Sequence, residues 1–443
     1  MKVKARSDLF VSVSCVIMLL YANYNTLIDS VIGTKLRMVW LFGGLCIGLF
    51  PYYMTGIKRK HISVVPLILM TSFIGLIIFD NNYDIREGTF FFTFRIIIAL
   101  MLMAYINIDG NWITKIPKII AAVGSLNIFA TYFFFIFRKA YTIMFRFYGF
   151  YPTGTKGGQL GYRAGIANHY SQNATYIVYV FIAITVLTIT EQNKKRKRIY
   201  AFMSAITFFA LILTGKRAHL LFSIMALLGN YFLITKGNKL IKSIKLMLTA
   251  GAGVSVFYLL GQFVKPIADL LERFSTAGTD SESTTRFAMW ELCIEKFKTH
   301  PIFGVGWAQF PQLYYENLYV WWYDDKYKFL NAHNVYFQLL CEVGIVGFLI
   351  FLLIISYNLV VTVRTYWRIA QYSSIIPEEY TQLLSCSITM QLFFLIYCVT
   401  GNGLYDYSFF YYMIAVTSGV ALHNQIRRMV PELHRTKRIV FCG

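Results

Sequence analysis

The chain has 443 residues, of which 57% are hydrophobic, 18% aromatic and only 14% charged, and its mean hydropathy is +0.54. So little charge cannot cover the surface of a soluble protein of this length, which excludes a soluble globular fold and points to a polytopic membrane protein. Much of the net charge of +21 is assigned to the positive-inside bias of short cytoplasmic loops, with no nucleic-acid partner.

In chain order, Met1 to Arg6 is basic and Leu9 to Leu20 is apolar. No small-x-small cleavage site follows, so this stretch reads as a first transmembrane helix with its N-terminus inside. Further apolar runs of about 17–25 residues, long enough to cross a bilayer, centre near Leu45, Met70, Ala99, Leu126, Val180, Phe208, Ala226, Val254, Leu352, Leu392 and Ala415. The expectation is an all-α polytopic membrane protein with about twelve transmembrane helices, both termini cytoplasmic, and a helical external loop between the ninth and tenth spans. It reads as one integral-membrane domain, 1–443, with external loops at 138–171 and 264–333.

Charge agrees with this threading. The run Lys194-Lys195-Arg196-Lys197-Arg198, the lysines 236, 239, 242 and 245, and the basic C-terminal segment all fall inside. Arg95 falls within a span and either lines an internal cavity or snorkels to one face. The seven cysteines are scattered, mostly in or beside apolar spans, without metal-ligand spacing, and read as small apolar residues.

Cations that survive outside call for an explanation of another kind. Ser283 or Thr284 suits the N-cap of a helix ending near Thr299 before Pro301, with Phe287, Trp290, Ile294 and Phe297 forming an apolar face. Arg286 sits at the edge of that face, as a snorkelling surface arginine or an anion ligand. Asn331 suits the cap of a second helix beginning Ala332-His333 and running through Gly344 and Gly347 into the membrane. A histidine in a first helical turn meets the positive end of the dipole, which disfavours imidazolium; His333 is then either a helix anchor or a general base. Lys216 and Arg217 form a turn between two apolar stretches, where paired cations are costly unless an anion or a wet cavity meets them. Arg163 lies outside at another helix entrance, near Asn168 and Asn173. Arginines converging with a histidine suit a pyrophosphate, because the guanidinium fork binds its oxygens in a bidentate way. The aromatic run from Tyr314 to Tyr323, with Trp321 and Trp322, stacks on sugars or forms an interfacial belt; Trp290 and Tyr336 are further candidate sugar contacts.

These residues resemble the O-antigen ligase and O-antigen polymerase superfamily of bacterial integral-membrane glycosyltransferases. The likeness rests on Arg286…Trp290…Pro301-x-x-Gly304-x-Gly306…Phe310 and His333-Asn334-x-Tyr336…Glu342-x-Gly344-x-x-Gly347. Arg163-x-Gly165…Asn168…Asn173 and Thr214-Gly215-Lys216-Arg217 are similar too, although family members more often carry a small residue where Lys216 stands. The resemblance implies a donor glycan on undecaprenyl pyrophosphate, used at the outer face of the bacterial cytoplasmic (inner) membrane, and metal-independent inverting transfer. His333 would activate the acceptor hydroxyl, and Arg217 and Arg286, with Arg163 and Lys216, would hold the pyrophosphate. It also implies a glycan acceptor, the bilayer, and flippase and chain-length regulator proteins as partners. No Walker-type glycine loop or metal-ligand cluster stands in the sequence, so no cofactor is expected.

The leading expectation is a polymerase that joins lipid-linked repeat units into O-antigen, capsule or exopolysaccharide of the cell envelope. A ligase passing the finished glycan to lipid A core or another acceptor shares the same donor chemistry. A lipid-linked oligosaccharide flippase is the alternative of another class. A flippase should concentrate its charges within the spans, whereas here only Arg95 is clearly intramembrane.

Overall fold

The computed structural model of the protein describes residues 111–148, 161–235, 237–275, 281–317, 330–372, 376–406 and 408–442, with scattered helical positions between 13 and 28. The fold is all-helical, and no strand occurs among the described residues. Its helices are α1 (Ile116–Ile136), α2 (Arg138–Tyr148), α3 (Tyr170–Thr190), α4 (Lys194–Leu213), α5 (Arg217–Ile234) and α6 (Lys239–Gly261). They continue as α7 (Lys265–Ser275), α8 (Ser281–Thr299), α9 (Phe310–Asn317), α10 (Val335–Ala370), α11 (Glu378–Tyr397) and α12 (Ser408–Cys442).

Among the described residues, five stretches are long and apolar enough to cross a bilayer: Ile113–Ile136, which includes α1, then α3, α5, α10 and α11. A sixth is added if Gly253–Gly261 and Lys265–Glu272, which meet at 112°, form one broken span. The chain is a multi-pass membrane protein, and the described residues carry five or six of the twelve spans expected. Those centred near Leu45, Met70 and Ala99, with Arg95, lie outside the described residues, as does most of the first span. The helix near Phe208 opens with five cations, and the apolar part of α12 is only Ser408–His423, so both fall short of the length a span needs.

A helix that is apolar on every side must be buried on every side, and α3 shows this: Tyr176 to Ile184 is enclosed throughout. It packs against α1, α4 and α11, and its Tyr179 ring stacks on Tyr411 with centroids 4.2 Å apart. Between α10, α11 and α12 an apolar cluster that includes Phe351, Phe394 and Tyr412 is joined by polar contacts. Gln391 Nε2 donates to Thr362 Oγ1 at 3.0 Å and to Ser387 Oγ at 3.2 Å. In lipid, where apolar contact gives no net drive, such bonds and close packing hold helices together.

The segment expected as a loop from 264 begins as α7, whose Ile267 and Leu270 join the main core. Two expectations for α8 are corrected. It starts at Ser281, ahead of the expected caps. Its protein-facing side is Met289, Leu292 and Cys293, packed with Phe310, Tyr314, Ala332 and Cys341, whereas Phe287 and Ile294 are exposed. The small Cys293 side chain belongs to the same cluster as Cys341 of α10, and of the expected stripe Trp290 packs against that cluster.

Candidate active site

A cavity of about 660 Å³ opens where the ends of several helices meet. Its wall is built from the start of α3 (Tyr170, Gln172, Thr175), the start of α5 with the preceding turn (Lys216, Ala218, His219), and α8 (Thr285, Arg286, Met289). His333 and the segment after α11 (Thr400, Gly401, Asn402, Asp406) complete it. The N-terminal ends of α3 and α5 both face this space, and His333 stands just before the N-terminus of α10. Helix N-termini carry partial positive charge and free N–H groups, so with Lys216 and Arg286 they make the cavity a place for an anion.

The turn before α5 is shaped by Gly215, whose φ of +69° favours glycine. A Cβ there would stand 3.0 Å from Arg163 Nη1. Arg163 pairs with Asp269 of α7 at 3.6 Å, and Asn173 Nδ2 donates to its carbonyl at 3.0 Å. Arg163 therefore backs the turn and is not part of the cavity wall. Lys216 Nζ lies 4.2 Å from the centre of the Tyr170 ring, a cation–π contact that holds the ammonium at the cavity edge. His219, fully buried, shares a hydrogen bond of 2.9 Å between its Nε2 and Thr175 Oγ1.

The loop bearing His333 differs from expectation. Asn334, not Asn331, caps α10: its Oδ1 accepts from Phe337 N at 3.1 Å. Asn331 Oδ1 instead accepts from Gln338 Nε2 at 3.0 Å. The cap geometry needs an extended residue immediately before the first helical turn, and Asn334 has it at φ −154°. His333 thus stands one residue before the cap, at φ +53°. Its N–H donates to Asn402 Oδ1 at 3.1 Å, and Trp290 Nε1 donates to the neighbouring Ala332 carbonyl at 2.8 Å.

The second correction concerns α10 itself, which is broken at Gly344, with φ 62° and ψ −168°. The carbonyls freed at the break are taken by another segment: Val305 N donates to the Cys341 carbonyl at 2.9 Å and Gly306 N to that of Glu342 at 2.8 Å. In return Ile345 N donates to the Pro301 carbonyl at 2.9 Å and Val346 N to that of Ile302 at 3.3 Å. Buried backbone groups must find partners, and two glycine-rich segments supply them to each other.

Residues 202–352 match the family model Wzy_C, described as O-Antigen ligase. The match places these residues in the O-antigen ligase family. No curated protein matches the chain. Within this O-antigen ligase domain lie Lys216, Arg217, Arg286, Trp290, His333 and Tyr336, together with both docked glycine-rich segments. The far wall, from Tyr170 to Thr175 and from Tyr397 to Asp406, lies outside the matched stretch.

Of the residues singled out from sequence, the structure brings Lys216, Arg286 and His333 to one cavity. Arg217 follows Lys216 as the first residue of α5 and is not part of the lining. Tyr336 turns elsewhere, donating to the Leu395 carbonyl at 2.8 Å, and Trp290 braces the histidine loop rather than facing the cavity. Trp321 and Trp322 lie outside the described residues. Sequence reasoning missed Asn402 and Asp406. The turn Thr400-Gly401-Asn402-Gly403 between two apolar stretches was their one signal.

Proposed function

We propose that the protein is a glycosyltransferase that moves a lipid-linked glycan from a polyprenyl pyrophosphate to a saccharide hydroxyl, in the manner of a polysaccharide polymerase. The observation that carries this is the cavity itself, where two cations and two helix N-termini share one space with His333, beside His169, the buried His219 and Asp406. A pyrophosphate leaving group gains charge as its bond to the sugar breaks, and fixed cations and N–H dipoles favour that charge in the transition state.

In the proposed step the acceptor oxygen attacks the anomeric carbon, forming the new glycosidic bond. The carbon–oxygen bond to the pyrophosphate breaks, and the pyrophosphate departs on its lipid. The acceptor proton passes to the His333 imidazole. Lys216 and Arg286 hold the phosphate oxygens, and Arg217, outside the lining, adds positive charge behind Lys216 at the start of α5. Arg163 supports the turn that carries Lys216.

The cavity is assigned to the outer face of the cytoplasmic membrane. Support comes from the threading: α3 begins at the cavity and spans about 30 Å, and the basic run Lys194–Arg198 follows at its far end. Positive charge on short loops marks the cytoplasmic side.

The test is the size profile of surface and lipid-linked glycans in a deletion strain complemented with wild type or His333→Ala. A polymerase leaves single repeat units in the mutant. Long chains stranded on the carrier lipid would make the protein a ligase. Units trapped on the cytoplasmic face would make it a flippase and remove the catalytic assignment.

A further inference from the structure

Glu342 is wholly buried at the break in α10, and the transfer step above gives it no role. Both of its carboxylate oxygens have donors. Oε1 accepts from Phe310 N at 3.2 Å and from Gln338 Nε2 at 2.9 Å, and Oε2 accepts from the Tyr405 hydroxyl at 2.9 Å. Burial and then the charge of Glu342 push the Tyr405 phenol well above its ordinary range, so it stays protonated and donates.

Gln338, 1% exposed, carries the connection onward. Its Oε1 accepts from Ala332 N at 3.0 Å, and its Nε2 donates to Asn331 Oδ1 as well as to Glu342. Every polar atom of that amide is engaged, and turning it over would set its NH₂ against the Ala332 N–H. Residues 331 and 332 lead directly into His333. A positive φ at a non-glycine residue persists only where the surroundings hold it.

We propose that Glu342, Gln338 and Tyr405 form a buried hydrogen-bond relay whose task is to hold the His333 loop against the cavity, making them positioning residues for transfer. The proposal rests on the reading of His333 as the base. A carboxylate suits the hub because donors reach it from the start of α9, from α10 and from the segment after α11. Its backbone carbonyl is already taken by Gly306, so one residue ties the docked glycine segment by its main chain and the histidine loop by its side chain. A partly satisfied buried network is less stable than a complete one, so losing one member frees the loop.

The test uses purified full-length protein and measures kcat for transfer beside the Kd for lipid-linked donor. Gln338→Leu keeps the volume and removes the relay. It is expected to lower kcat about 10- to 100-fold, as displacement of a catalytic group does. The donor Kd should change by less than about threefold, because Lys216 and Arg286 stand on other elements. In a His333→Ala background the slow residual transfer, followed over long incubation, is expected to fall no further with the same substitution. If Gln338→Leu fails to insert, Tyr405→Phe removes one donor at constant shape, with an expected loss of about threefold in kcat. Normal kcat in Gln338→Leu while His333→Ala is inactive would sink the relay alone. An equal loss in both backgrounds would also overturn it. Full transfer by His333→Ala would remove the base and the relay together.

Discussion

Gly344→Ala is expected to undo the docking of Pro301–Gly306 into α10. The new Cβ would stand 2.3 Å from the Ile302 carbonyl oxygen and 2.4 Å from its carbon, so the backbone itself must move. The conformation at Gly344, φ 62° with ψ −168°, is one that only glycine adopts readily and costs any other residue about 1–3 kcal/mol. Four backbone hydrogen bonds cross this junction, and losing even two of them adds about 1–3 kcal/mol. A destabilisation of about 2–6 kcal/mol follows, a large part of the 5–15 kcal/mol typical of a folded domain. The control is Gly251→Ala in α6, where nothing lies within 4 Å of the new atom and helix propensity gains up to about 1 kcal/mol. Thermal unfolding in detergent, with hydrogen exchange of peptides covering 301–306 and 341–346, reads the effect. Unfolding at the temperature of the Gly251→Ala control, with unchanged protection of both peptides, would refute the reasoning.

Three further outcomes are expected. Arg286→Lys keeps the charge but removes the planar fork, so transfer should fall more than about tenfold; near-wild-type transfer would make Arg286 a surface arginine. Asp269→Asn should cost less than about 1 kcal/mol in stability, because its ion pair with Arg163 is part-exposed, and transfer should change little. A loss as large as that of Arg286→Lys would put Arg163 in the site. Burial pushes the Cys293 thiol far above its ordinary range, so a maleimide at pH 7 to 8 should leave Cys293 unlabelled until the protein is denatured. Mass spectrometry of the labelled peptides decides this.

Hydropathy alone disclosed the spans α1, α3, α5, α10 and α11, because a bilayer leaves few other uses for twenty apolar residues in a row. The glycine pattern Gly304-x-Gly306 and Gly344-x-x-Gly347 was visible too, but not its purpose. Glycine spacing reports that backbone comes close, not which backbone it meets. The choice of Asn334 over Asn331 as the cap of α10 was hidden for a similar reason. Both are asparagines and cap helices equally well, and only Gln338, buried beneath the loop, engages Asn331 and leaves the cap to Asn334. The face of α8 was misjudged because hydrophobicity was weighed without size: close approach to α10 favours cysteine over phenylalanine. Asn402 and Asp406 could not be reached by spacing, since they join the cavity from the far end of α11.

The most direct test of the central claim is transfer in proteoliposomes that hold only the purified protein, a lipid-linked oligosaccharide and a saccharide acceptor. Wild type is expected to release polyprenyl pyrophosphate in step with glycan extension, and His333→Ala to do neither while still binding the donor. Extension at the wild-type rate by His333→Ala would contradict the account.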